Sequence, residues 1–207
     1  MKVEKITLGS LSTNCYIVID QKEAIIIDPA SDSESIKNKV TELGVVPKVV
    51  LLTHAHFDHI GALEDIREHF KIPTYLHEME HDWLRDSKLN GSSLFGLGEV
   101  TAKPAEYHFD KSQYRFGSIE LEVRHTPGHS PGGVAFVFRE DRFVVGGDSL
   151  FAGGIGRTDL PGGEYQQLEK SIQDQFYTLP NDFVVYPGHG PNTTIKAEKL
   201  NNPFVQG

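Results

Sequence analysis

VVLLTHAHFDHIGAL, residues 49–63, is the stretch that decides the architecture of this chain. Val49, Val50, Leu51 and Leu52 form an apolar run without polar alternation, the pattern of a strand buried on both faces of a parallel sheet. Three imidazoles and a carboxylate follow within six residues, His54, His56, Asp58 and His59 supplying the donors. Ala62, Leu63, Ile66 and Phe70 then recur at helical spacing, and Gly61 leaves the chain free to enter that helix at a tight angle. Open α/β sheets place ligand sites beyond the carboxyl ends of their strands, which is where this turn lies.

Neutral imidazole and carboxylate suit a borderline ion such as zinc, and one four-coordinate Zn²⁺ takes only three or four protein ligands. Four donors are too many for one catalytic ion that must keep a position open. His54 and His56 alternate along an extended turn and can face one ion, while Asp58 and His59 start the helix and can face another. Two divalent metal ions are therefore expected. Three more strand ends offer donors. His129 lies in HTPGHSPGG, where Gly128, Pro131 and Gly132 hold a tight loop. Asp148 closes the apolar run 143–147 and could bridge two ions. His189 follows the run 183–186, in YPGHGP.

The ordered set Asp28, HAHFDH, His129, Asp148 and His189 resembles the metallo-β-lactamase superfamily over the whole chain. The resemblance implies an α/β fold, the αββα four-layer sandwich in which two mixed β-sheets are flanked by helices. It also implies that His54, His56 and His129 hold one metal and that Asp58, His59 and His189 hold the other, with Asp148 bridging. Asp28, ending the strand 25–27, is then a support behind the ligands. The longer strings GGDSLFAGGIGRTDLPGG and YPGHGPNTT, with the final NPF, are similar to the compact glyoxalase II-like hydrolases.

What that similarity implies is hydrolysis of a thioester such as S-lactoylglutathione, or a related activated acyl substrate, by a hydroxide bridging the two ions. Asp58 would accept or relay the proton while remaining a ligand. Zinc is the first expectation for the ions, and iron or manganese suits the same donors. No acid is set by sequence to protonate an amine leaving group, which favours a thioester, ester or lactone over an amide. The chain continues 18 residues past His189, so no C-terminal glutathione-binding helical domain is expected. Arg157 is a candidate clamp for a substrate carboxylate, the other reading being a structural pair of Arg157 with Asp159 that holds the loop. Its surroundings, Gly156-Arg157-Thr158-Asp159, also resemble the persulfide dioxygenases, mononuclear iron enzymes with the same ligand positions, and this is the alternative function.

A length of 207 residues suits one domain over 1–207 with a sizeable core. The formal charge of −9 and the lack of a basic stripe argue against nucleic acid and leave a small-molecule substrate as the expected partner. Residues 1–20 carry Lys2, Glu4, Lys5 and Asp20 with no apolar core segment, so neither a signal peptide nor a membrane span is expected and a cytoplasmic location follows. The single Cys15 sits in a strand pattern and reads as buried and structural. Oligomeric state leaves no sequence signal.

His77-Glu78-Met79-Glu80-His81 satisfies the H-E-x-x-H protease signature in form only. That signature works inside a long helix, whereas Pro73 and the strand-like Thr74-Tyr75-Leu76 stand directly before it here. The expectation is the exposed start of a short helix whose apolar side is Met79, Trp83 and Leu84. His69, His108 and His125 read as ordinary histidines. Strands are expected near 3–8, 15–19, 24–28, 49–53, 74–76, 119–124, 134–138, 142–147 and 183–186. Helices are expected near 33–43, 61–70 and 164–177, the first opened by a capping box of Ser31 and Glu34 and closed by Gly44.

Overall fold

The first strand, β1 (Lys2–Leu8), alternates exposed and covered side chains, whereas its neighbour β2 (Thr13–Asp20) is buried on both faces. The contrast is that of an edge strand and an interior one, and it follows from β1 carrying Lys2, Glu4 and Lys5 where β2 carries Cys15 to Ile19. The computed structural model describes residues 1–95 and 98–207. They form two compact units, Met1–Asp110 with Tyr114–Glu120, and Lys111–Gln113 with Leu121–Gly207.

In the first unit β3 (Glu23–Ile27), β4 (Val46–Leu51), β5 (Thr74–Leu76) and β6 (Tyr107–His108) complete a sheet in the order β1-β2-β3-β4-β5-β6. β1, β2 and β3 run antiparallel, and β3 to β6 pair in parallel. The helices α1 (Ser33–Leu43), α2 (Phe57–Ile60, a single turn) and α3 (Leu63–Phe70) fill the connections. Ile36 and Val40 of α1, and Leu63 and Ile66 of α3, pack with Cys15, Ile17, Ile26 and Val50 of the sheet. Parallel neighbours need such crossover helices, which is why the strand ends around β4 carry loops rather than hairpins.

The chain continues through β7 (Gln113–Phe116), β8 (Ile119–His125), β9 (Val134–Phe138), β10 (Phe143–Gly147), a small ribbon of β11 (Leu150–Phe151) and β12 (Gly154–Ile155), then β13 (Val184–Pro187) and β14 (Thr193–Thr194). The second six-stranded sheet has the order β14-β13-β10-β9-β8-β7, with β10 and β13 parallel and its other recorded pairs antiparallel. In the second unit α4 (Tyr165–Ser171) widens into a π-helical turn at Ile172–Phe176, and α5 (Ile195–Asn201) follows β14. Leu168, Ile172, Phe176 and Ile195 pack on Ala135, Val137, Val144 and Val185. Among the described residues no helix is long and apolar enough to cross a membrane.

Most expected elements are present within one or two residues of their expected ends, and three differ for visible reasons. The helix expected over 61–70 is split into α2 and α3, because the Ala62 N–H is taken by the Pro29 carbonyl at 2.9 Å instead of by its own helix. Gly61 lies so close to the Ala30 carbonyl oxygen that a side chain there would overlap it. The cap of α1 is Asp32, not Ser31: its carboxylate accepts from the Ser35 N–H at 3.2 Å and the Ser35 hydroxyl at 2.6 Å, which draws its pKa down. Gly44 closes α1 in the left-handed region, as expected. The segment after β5 is a 3₁₀ helix, Glu78–Leu84, with Met79 exposed and Glu80 buried, so its inward side is Glu80, Trp83 and Leu84.

Candidate metal centre

In the first unit the site begins where β3 and β4 end. Asp28 follows β3 in the left-handed region (φ 51°), a strained position for a residue with a Cβ, and is 1% exposed. Its carboxylate accepts from the Thr53 N–H at 2.8 Å and the Thr53 hydroxyl at 2.6 Å, and it lies 2.9 Å from His59 Nδ1. Thr53 thus spends its one hydroxyl proton on Asp28. The His54 Nδ1 beside it, 3.0 Å from Thr53 Oγ1, is then the donor of that pair. A single carboxylate therefore dictates the tautomers of two histidines: both carry the proton on Nδ1 and keep the lone pair on Nε2 for a cation. Asp28, His54 and His59 each offer an atom within 4.8 Å of the others.

The remaining donors of this unit are held from other elements. The ring of His56 leans on Trp83 at 5.6 Å. Between His54 and His56 the Ala55 N–H donates to Glu80 Oε2 at 2.6 Å, and Glu80 is fully buried. Asp58 Oδ2 accepts from the Thr13 hydroxyl at 2.7 Å. Glu80 and Trp83 belong to the segment whose first residues match the protease signature; they serve as a buttress for the histidine turn. Thr13, Thr53, Glu80 and Trp83 were not singled out as site residues from the sequence. A buried glutamate inside a charged run is the only signal that could have pointed to one of them.

In the second unit His129, Asp148 and His189 come from three loops. Both His129 Nε2, at 3.6 Å, and His189 Nε2, at 3.4 Å, face the same Asp148 Oδ2. Those spacings exceed an ordinary N–H···O bond, and they match the separation of about 3.4 Å between two atoms bound at ~2.1 Å to one tetrahedral ion. His129 Nδ1 donates to the Arg157 carbonyl at 2.7 Å, which again puts the lone pair on Nε2, the atom a cation would use. Glycines make the room. A side chain at Gly156 would overlap the Asp148 carbonyl and crowd His129 Nδ1, and one at Gly128 would run into the backbone of α4 at Leu168. The Glu164 N–H, at the start of α4, returns a bond of 2.7 Å to the Gly128 carbonyl.

Arg157, the expected substrate clamp, forks onto Asp159 with bonds of 2.7 and 2.8 Å. The Arg157 guanidinium pulls the Asp159 carboxyl down to about 2, and Asp159 in turn raises the arginine. Cys15 is buried, and that burial, with the Asp28 charge near it, pushes its thiol far above the usual range, so it takes no part as a thiolate. The donors of each unit, imidazoles anchored at Nδ1 on His54, His59 and His129 with carboxylates beside them, fit a divalent cation.

The sequence model of the metallo-beta-lactamase superfamily matches residues 8–189. The chain belongs to the metallo-β-lactamase superfamily. Its mixed sheets with packed helices are the fold of that superfamily, and it is a metallo-hydrolase by its relatives. A probable metallo-hydrolase of Bacillus subtilis, YqgX, is 44% identical over all of this chain and 99% of its own. The hydroxyacylglutathione hydrolase GloC of Haemophilus influenzae is 36% identical over 99% of this chain and 98% of its own. Among solved structures, that of the BLEG-1 B3 metallo-beta-lactamase superposes with a TM-score of 0.97 at 42% identity, all of both chains being covered. TTHA1623 in a di-iron-bound form gives 0.88 at 36%, over 98% of this chain and all of that one.

Proposed function

We propose that the two units act as one domain over residues 1–207 and jointly hold two divalent ions. In this reading His54, His56 and His129 bind one, Asp58, His59 and His189 the other, and Asp148 is shared. The activity is hydrolysis of thioesters, S-lactoylglutathione or a related activated acyl substrate. The observation that carries it is the anchoring of Nδ1 on His54, His59 and His129 by Thr53, Asp28 and the Arg157 carbonyl, which readies each Nε2 as a ligand atom. Similarity to GloC supports the acyl-glutathione class.

When bound, the ions supply Lewis acidity and bring the pKa of water toward neutrality. The chain does the rest. Asp58, steadied at Oδ2 by Thr13, keeps its carboxylate oriented to take and pass on a proton. Arg157 reaches a substrate carboxylate by exchanging it for Asp159, which is exposed and has the same bidentate geometry. Zinc is the proposed ion; the di-iron form of TTHA1623 keeps iron within the reading. The proposed setting is the cytoplasm, with small molecules as partners and no nucleic acid.

The test is metal content per chain by elemental analysis, on protein purified without added metal. The same sample is assayed with S-lactoylglutathione, glutathione persulfide and a cephalosporin. About two ions per chain with thioester cleavage is expected. One iron with oxygen uptake on the persulfide overturns the reading in favour of a dioxygenase, and cephalosporin opening without thioester cleavage overturns it in favour of a lactamase.

A further inference from the structure

The turn between β1 and β2 brings Leu11 to the surface, 41% exposed, at the rim of a cavity of about 260 Å³. Leu8, Ala30, Phe57 and Val100 line this cavity together with Leu11, and Asp58 stands in the same wall. All of these residues belong to the first unit. Phe57 lies between His56 and Asp58 in sequence, so one side of the cavity is the histidine turn itself. Asp58 is the one ionisable side chain among the described lining residues. A second carboxylate entering here would be repelled, and no lysine or arginine lines the wall to receive one.

We infer that this cavity is the seat of an uncharged, apolar acyl group, and that it sets the enzyme's preference for acyl chains longer than lactoyl. The inference rests on the thioester hydrolase reading above and deepens it. Size and polarity support it. An apolar cavity of about 150 Å³ admits benzene, so 260 Å³ takes a group on the order of six to ten carbons. Of the polar groups at the wall, the Thr13 hydroxyl is spent on Asp58, and Ser10 and Ser31 stand at the same wall. A hydroxyl on the acyl chain, as in lactate, therefore finds no Thr13 proton to accept. A plain alkyl chain gains from Leu8, Leu11, Phe57 and Val100 in proportion to the area it covers. The glutathione or other thiol half is not accommodated in this cavity, where its charges would have no partner.

The experiment uses N-acetylcysteamine thioesters of acetate, lactate, butyrate, hexanoate and octanoate with the metal-bound protein. The expected kcat/KM rises about fourfold for each added methylene until the cavity is full. In Val100→Phe, which occupies part of the cavity, the ratio of hexanoyl to acetyl kcat/KM should fall at least tenfold, and in Leu11→Ser about fourfold. Using the ratio within each variant separates a lost pocket from a damaged fold, which would depress both substrates. Cleavage of every thioester at similar rates, or a chain-length profile that neither substitution changes, overturns the cavity as the acyl seat while leaving the hydrolase reading intact. Cleavage of none overturns the hydrolase reading. Octanamide binding by calorimetry then decides the cavity separately: saturable binding weakened in Val100→Phe supports it, and no binding overturns it.

Discussion

The donor groups of the two units are built in opposite ways. In the first unit four donors lie within one turn, and side chains hold them: Asp28 and Thr53 set His54 and His59, Thr13 sets Asp58, and Glu80 sets the Ala55 amide. In the second unit three donors come from loops far apart in sequence, and backbone holds them: the Arg157 carbonyl fixes His129, and bare glycine backbone makes room for the Asp148 loop. A compact motif can be steadied by polar side chains because its members already sit together. A dispersed one depends on loops approaching more closely than any side chain allows, so its important residues are the ones without side chains.

Substitutions can break that contrast. The largest effect is expected at Gly156: alanine there must displace the Asp148 carbonyl, costing on the order of 3 kcal/mol in urea unfolding and lowering metal retention against a chelator. A variant as stable and as metal-rich as wild type would mean that the loop has slack and that the backbone account of this half is wrong. Next comes Asp28→Asn. The amide can still accept from Thr53, but an N–H facing His59 Nδ1 favours the other tautomer, so metal affinity should drop by about 10- to 100-fold with the fold retained. Unchanged affinity in a competition titration would show that tautomer control is not what Asp28 contributes.

Glu80→Ala leaves the Ala55 N–H buried without its acceptor, at a cost of about 1–3 kcal/mol, while Glu80→Gln keeps an oxygen in place and should recover most of it. If both variants lose equally, the negative charge and not the hydrogen bond is what matters. The smallest effect belongs to the Arg157–Asp159 fork. The folded pKa of Asp159 is lowered from 3.8 to about 2, so the stability it contributes is present above its unfolded value near 3.8 and is lost as pH falls toward 2. Asp159→Asn should thus lower Tm slightly at pH 5 and by less at pH 2, by calorimetry. An equal shift at both values would mean the pair is not acting through charge.

The same contrast explains what could be read in advance. The histidine turn, the buried runs at 15–19, 25–27 and 49–52, and the helix 33–43 were legible because each is local: period, burial and donor spacing lie within about a dozen residues. His129, Asp148 and His189 were legible singly as donors at strand ends. The helix break at Ala62 was not, since it is decided by a partner far off in sequence, the Pro29 carbonyl, and neither was the Asp32 cap, because the neighbouring Ser31 is an equally good cap by residue type.

By itself the sequence determined the chemistry: a donor set of imidazole and carboxylate at strand ends, which bounds the metal and the fold class because residue type and spacing are local facts. Only the tertiary structure decided which ring nitrogen of His54, His59 and His129 is held by a hydrogen bond, that Glu80 is buried against the Ala55 amide, and that Arg157 forks onto Asp159. These are outcomes of hydrogen-bond competition among groups up to 31 residues apart, as between Asp28 and His59, and no window of sequence contains both partners' geometry.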